Sequence, residues 1–113
     1  MGTKNPTRRH RIAFCAEGRT VRVLPGHREV EAGDWVTFYN LHADPVNVLI
    51  PSEDLFGETK IFPLESGGRS DAFRVVKGAL GCYPYAVYDP VTREFGHGSG
   101  VPIIIVYPGR GIR

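Results

Sequence analysis

Two cysteines, Cys15 and Cys82, are the soft ligands and thiol nucleophiles this 113-residue chain offers beyond its single methionine, Met1. They match no zinc-finger spacing and no Cys-x-x-Cys redox pair. A disulfide between them would need neighbouring strands with facing side chains, which spacing alone does not establish. Cys82 gains metal chemistry only if folding brings partners to it. His42, in the polar loop 41–45, and His97, in the glycine-rich run 96–100, are the two imidazoles in position to do so. A Cys-His-His set, with Asp44 as a further donor, suits copper or zinc. The competing reading leaves both histidines solvated in their loops and both thiols buried and inert. Nothing nearby in the sequence supplies the cation or helix N-terminus that lowers a thiol pKa.

Other residue types carry less chemistry. Ser52, Ser70 and Ser99 have no nucleophile-elbow context; Gly96-His97-Gly98-Ser99-Gly100 lacks the strand-to-helix turn that exposes such a serine. Its glycines read instead as a loop that needs positive φ. Glu53, Asp54 and Glu58 do not follow EF-hand spacing and read as a solvated acidic loop. Tyr83, Tyr85 and Tyr88, with Trp35 and Tyr39 elsewhere, form either an aromatic interaction surface or the ordinary alternation of core and wet faces. The reading is therefore non-enzymatic.

The elements that position these residues are β-strands. One domain is expected at this length, and a 42% hydrophobic share argues against disorder. Short β-favouring runs alternate with turn signals over 11–16, 20–24, 28–30, 35–40, 46–51, 60–63, 70–76, 81–88, 93–95 and 101–107, and helical periodicity is nearly absent. Allowing for the briefest runs, this is an all-β Greek-key sandwich of about seven to eight strands. In it, Val36 and Phe38 point one way and Trp35, Thr37 and Tyr39 the other; Tyr83, Tyr85 and Val87 share a face. The domain runs over 11–108, between a flexible basic tail at 1–10 and a short one at 109–113.

The net charge of +2 conceals an asymmetry. Lys4, Arg8, Arg9, Arg11, Arg110 and Arg113 face no acid at the two ends, whereas 12–108 carries eight bases against twelve acids. The body shows no basic stripe with interleaved aromatics, so no nucleic-acid partner is expected. No run of about twenty apolar residues spans a membrane. No secretory signal is visible, which reads as a cytoplasmic protein, or a periplasmic or secreted one in trimmed form.

Two stretches resemble the cupredoxin family. Val30-Glu31-Ala32-Gly33-Asp34-Trp35-Val36-Thr37-Phe38-Tyr39-Asn40, continuing through Pro45-Val46-Asn47-Val48, looks like the family's Gly-Asp turn and Asn-ended strand followed by Pro-His-Asn-hydrophobic. Gly81-Cys82-Tyr83-Pro84-Tyr85 is similar to its Cys-x-Pro-His loop. With the closing strand, the likeness covers roughly 20–107. Carried over residue by residue, it puts the first histidine ligand at Val46, the cysteine at Cys82, the second histidine at Tyr85 and the axial methionine near 98–100, where none stands. One ligand of four remains, so the resemblance implies a copper-free cupredoxin-like domain with no cofactor, acting through a protein partner or self-association. Arg28, Glu29 and Glu31 would guard a sheet edge against pairing. The alternative is an atypical copper-binding or electron-transfer protein using Cys82 with His42 and His97.

Overall fold

The computed structural model describes residues 7–108. Its elements are β1 (Arg9–Glu17), β2 (Thr20–Leu24), β3 (His27–Glu31), β4 (Trp35–Asn40), β5 (Val46–Ile50), the single turn α1 (Glu53–Phe56), β6 (Lys60–Leu64), β7 (Phe73–Arg74), β8 (Gly81–Pro84), β9 (Ala86–Asp89), β10 (Glu94–Phe95) and β11 (Ile103–Tyr107). Three sheets result, ordered β2-β1-β4-β7, β10-β9-β5-β6 and β3-β11-β8. Parallel pairing of β1 with β4 and of β3 with β11, among otherwise antiparallel neighbours, marks connections that cross between layers. This is the all-β sandwich expected from the sequence.

The second and third sheets are joined by one run of chain. Residues 81–88 read as a single strand, but the structure breaks it at Tyr85. β8 pairs with β11, whereas β9 pairs with β5 and β10. At the break the Tyr85 N–H leaves the ladder and donates to the Pro102 carbonyl at 3.0 Å. Its side chain still points inward, because the period-2 alternation of Tyr83, Tyr85 and Val87 continues through the bend.

The layers meet on aromatic rings. Phe38 of β4 is fully buried. Its ring stacks on Phe14 of β1 at 5.9 Å and meets Tyr85 edge-on at 5.8 Å, Phe62 of β6 at 6.0 Å and Phe73 of β7 at 6.2 Å. Around this centre lie Ile12, Val21, Val23, Val36, Val46, Val48, Ile50, Val87 and Ile104, the inward members of alternating strands. The acidic stretch after β5 contains α1. The Ser52 hydroxyl accepts from the Asp54 N–H at 3.2 Å, Gly57 ends the turn at φ 88°, and Leu55 and Phe56 are buried against the core.

β1 begins at Arg9, two residues before the expected strand and inside the expected tail. The cause is Asp34, which is 3% exposed. Its carboxylate accepts from the Arg8 N–H at 3.0 Å, the Glu31 N–H at 3.0 Å and the His10 ring at 2.7 Å. The Gly-Asp turn thereby clamps the start of β1 against β4. Burial works against a charge on Asp34, but the Arg8 N–H, His10 side chain and Glu31 N–H outweigh it and hold the carboxyl below its usual range.

Asp34→Asn removes an acceptor from buried donors and is expected to destabilise the fold by about 1–3 kcal/mol in urea unfolding at neutral pH. Because the folded pKa is depressed, the wild-type advantage is complete above the ordinary carboxylate value of 3.8 and declines as pH falls through the folded pKa. A wild-type-to-variant difference that does not shrink in acid would show that the carboxylate is not the clamp.

Candidate functional site

The loop between β4 and β5 is fixed by a buried amide. Asn40 is 0% exposed. Its Nδ2 donates to the carbonyls of Asp44 and Leu64, both at 2.9 Å, and its Oδ1 accepts from the His42 N–H at 2.9 Å. Ser66 Oγ donates to the His42 carbonyl at 2.6 Å. The loop is therefore held at both ends, and His42 is turned inward to 4% exposure instead of being solvated. Its Nδ1 accepts from the Asp44 N–H at 3.0 Å.

Asp89 approaches from β9. The register Asn47↔Tyr88 brings the next residue, Asp89, alongside the start of β5 and hence against this loop. Asp89 Oδ1 accepts from the N–H groups of Val91 at 2.8 Å and Thr92 at 3.4 Å, closing the β9–β10 turn. Its Oδ2 is buried, has no hydrogen-bond partner, and lies 4.0 Å from His42 Nδ1; Asp44 Oδ2 lies 3.8 Å from the same nitrogen. Among the described residues, His42, Asp44 and Asp89 are the one group of three His, Cys, Asp or Glu side chains with ligand atoms all within 4.8 Å of one another. Burial disfavours charge on both aspartates. On Asp89 the Val91 N–H and the Asp44 side chain outweigh it and hold the carboxyl low. On Asp44 burial and the adjoining Asp89 carboxyl together push it up. The second carboxylate and the histidine orientation depend on pairing across the sheet, so only His42 and Asp44 of this group stand out in the sequence.

The expected trio of Cys82, His42 and His97 is not assembled. Cys82 lies on β8 opposite Ile105 and is exposed. Tyr83 and Tyr85 take the inward positions of that strand, so alternation turns Cys82 and Pro84 outward. His97 is exposed, and its backbone is held along β2, accepting from the Val23 N–H at 3.0 Å and donating to the Val21 carbonyl at 3.1 Å. The expectation of a buried Cys82 thiol is overturned for the same reason. Cys15, half-buried on β1 opposite Arg22, is also free, and the two cysteines form no disulfide. The loop 96–100 takes the expected positive φ at Gly100, 108°, and at Gly98 it needs glycine for a different reason, since an added Cβ would stand 2.3 Å from Gly26 Cα.

A type 1 copper centre does not fit these residues. Val46 is fully buried and has no donor. Tyr85 is 3% exposed, and burial pushes its phenol far above the ordinary range, so it offers no anionic oxygen. Neither thiol belongs to the buried core. Among the described residues no cysteine is grouped with two histidines, the donor set such a centre requires.

The three tyrosines do not form one surface. Tyr85 is core, Tyr83 packs half-buried against the core, and Tyr88 faces outward with its ring 5.0 Å from Phe95. Tyr88 belongs to a different surface, the outer face of β10-β9-β5-β6. Registers align Phe95, Tyr88, Asn47 and Pro63 in one row and Ala86, Leu49 and Ile61 in the next. Phe95 is 62% exposed and Ile61 71%. The outer face of β2-β1-β4-β7 has the opposite character. Pairing aligns Arg9, Trp35 and Arg74, with Arg74 over the Trp35 ring at 5.6 Å and Arg11 over Tyr39 at 5.9 Å. Arg9, Arg11, Tyr39, Arg69 and Asp71 line a groove of about 460 Å³ there. Strand pairing thus gathers on one face bases from the basic N-terminal stretch, Arg9 and Arg11, and bases from the body, Arg69 and Arg74, that are scattered in sequence.

Comparison with solved structures places this architecture. The chain is similar to a purple cupredoxin from Nitrosopumilus maritimus, with a TM-score of 0.60 and 20% identity over 87% of this chain and 99% of that one. It is also similar to two amicyanin variants. One, a methionine-to-alanine variant in its Cu(I) form, gives a TM-score of 0.55 at 18% identity; the other, a reduced tryptophan-to-tyrosine variant, gives 0.56 at 18%, each over 85% of this chain and 81% of the other. No protein-family model and no curated protein matches the sequence. The fold is cupredoxin-like. Among the described residues no helix is long and apolar enough to cross a membrane.

The placement of Cys82 has a direct readout. In the native protein one thiol is expected to react with DTNB at a rate near that of a free thiol, and Cys82→Ser is expected to remove that fast phase. A fast phase that survives in Cys82→Ser would place the accessible thiol elsewhere.

Proposed function

We propose that this chain is a non-enzymatic binding domain of cupredoxin-like fold without a type 1 copper centre, and that it works through the outer face of the sheet β10-β9-β5-β6. The observation that carries the reading is the pair of aligned rows on that face, in which Phe95, Tyr88, Leu49 and Ile61 present apolar surface to solvent. Contiguous exposed apolar surface on a folded domain marks an interaction site more often than isolated apolar residues do.

The occupant is a second copy of this chain. Neither row contains a charged residue, so an identical face meets it without like-charge contact, and two sheets pack face to face about 10 Å apart through such side chains. Sedimentation at low and high micromolar concentration is expected to show a dimer at the higher concentration. Ile61→Lys is expected to be monomeric with an unchanged circular dichroism spectrum. A wild-type monomer at both concentrations would overturn the self-association reading, and a dimer unaffected by Ile61→Lys would move it to another face.

The copper-free part of the proposal rests on the donor set: valine at Val46, a neutral buried phenol at Tyr85, and Cys82 facing solvent. Titration with Cu(II) is expected to produce no intense thiolate-to-copper absorption. A stoichiometric complex with such a band, lost in Cys82→Ser, would establish the atypical copper protein instead.

A further inference from the structure

We propose that His42, Asp44 and Asp89 form a site for a borderline divalent cation of the zinc class, separate from any type 1 copper geometry and independent of the sheet face used for binding. Three side chains from two distant segments converge there. Asn40 holds the segment carrying His42 and Asp44, and the β9–β10 turn holds Asp89. The side chains of His42 and Asp89 are 5% and 1% exposed, while Asp44, at 27%, leaves the group an opening to solvent.

The state of the buried atoms points to a ligand. Asp89 Oδ2 faces His42 Nδ1 at 4.0 Å and has no hydrogen-bond partner. A buried carboxylate oxygen in that condition is costly unless a cation or a donor answers it. His42 does not answer it as a donor. Nδ1 accepts the Asp44 N–H at 3.0 Å, so that nitrogen carries a lone pair and no proton. The two carboxylates and the unprotonated imidazole nitrogen are thus three ligand-form atoms turned toward one another, within 4.8 Å. Two carboxylates balance a 2+ ion. One imidazole with two carboxylates is a nitrogen and oxygen set that suits zinc, and the thiolates that would favour Cu(I) are absent from it. Ligation would take over the Nδ1 lone pair that now accepts from the Asp44 N–H.

The test is calorimetric titration of the untagged full chain with ZnCl₂, paired with Co²⁺ absorption spectroscopy. One zinc per chain is expected, together with ligand-field bands when cobalt is added. Asp44→Asn alters a partly exposed side chain, and Asp89→Asn retains the oxygen that accepts from Val91 and Thr92, so both are expected to keep the native circular dichroism spectrum. Each is expected to weaken zinc by more than about 100-fold, beyond the 10–100-fold typical of losing an outer-shell partner. Cys82→Ser is expected to bind as wild type. No binding at millimolar zinc, or equal binding by wild type and Asp44→Asn, would overturn the site. A loss confined to Cys82→Ser would transfer the zinc to the thiol and overturn this site, whereas the copper-free reading stands or falls on the Cu(II) titration alone.

Discussion

The fold depends on one ring. Phe38 sits on the inner strand β4 and meets Phe14 and Phe73 of its own sheet, Phe62 of β6, and Tyr85 where two other sheets meet. Aromatic side chains bury large areas and favour tilted or edge-on contacts, so one such residue can hold several layers at fixed spacing. The bend at Tyr85 follows from this. The tyrosine must stay under Phe38 while its strand passes from β11 to β5, and the backbone yields by moving its N–H to Pro102. The buried phenol that results has no hydrogen-bond partner, which is the cost of using tyrosine at the joint.

Around that hydrophobic centre the turns are organised by short polar side chains. Asp34, Asn40 and Asp89 are all buried, and each satisfies backbone groups that no ladder reaches. Asp34 extends β1 backward to Arg9, Asn40 turns His42 inward, and Asp89 closes the β9–β10 turn. A short carbonyl or carboxylate fits such places because it accepts two or more N–H donors at close range. Where Asp89 has an oxygen to spare beyond this structural duty, that oxygen meets His42 and Asp44. The candidate cation site is thus a by-product of turn architecture, and the same residues serve both.

The two outer faces divide the remaining surface by chemistry. One sheet shows uncharged apolar rows, the other a groove edged by guanidiniums and aromatic rings. Both are built from residues at alternate positions on strands far apart in sequence. The likeness to cupredoxins lies in the interior that separates these faces. At the positions that would carry a copper ligand the interior is valine and tyrosine, and the sulfur is outside.

The amino-acid sequence by itself determined the strand rhythm, the inward partners Val36 and Phe38, the turn at Gly33-Asp34, and the absence of imidazole at Val46 and Tyr85. These are local properties: side-chain alternation with period 2, backbone preference at glycine and proline, and donor atoms that a residue type has or lacks. The side of the sheet that Cys82 occupies was also implicit in its spacing from Tyr83 and Tyr85, but the Cys-x-Pro likeness masked it. Only the tertiary structure decided that residues 81–88 divide between two sheets, that His42 is buried, that Asp89 meets it from 47 positions further along the chain, and that scattered arginines share one face. The reason is that strand pairing is non-local. The register between two strands fixes which side chains meet, and no single segment contains that information.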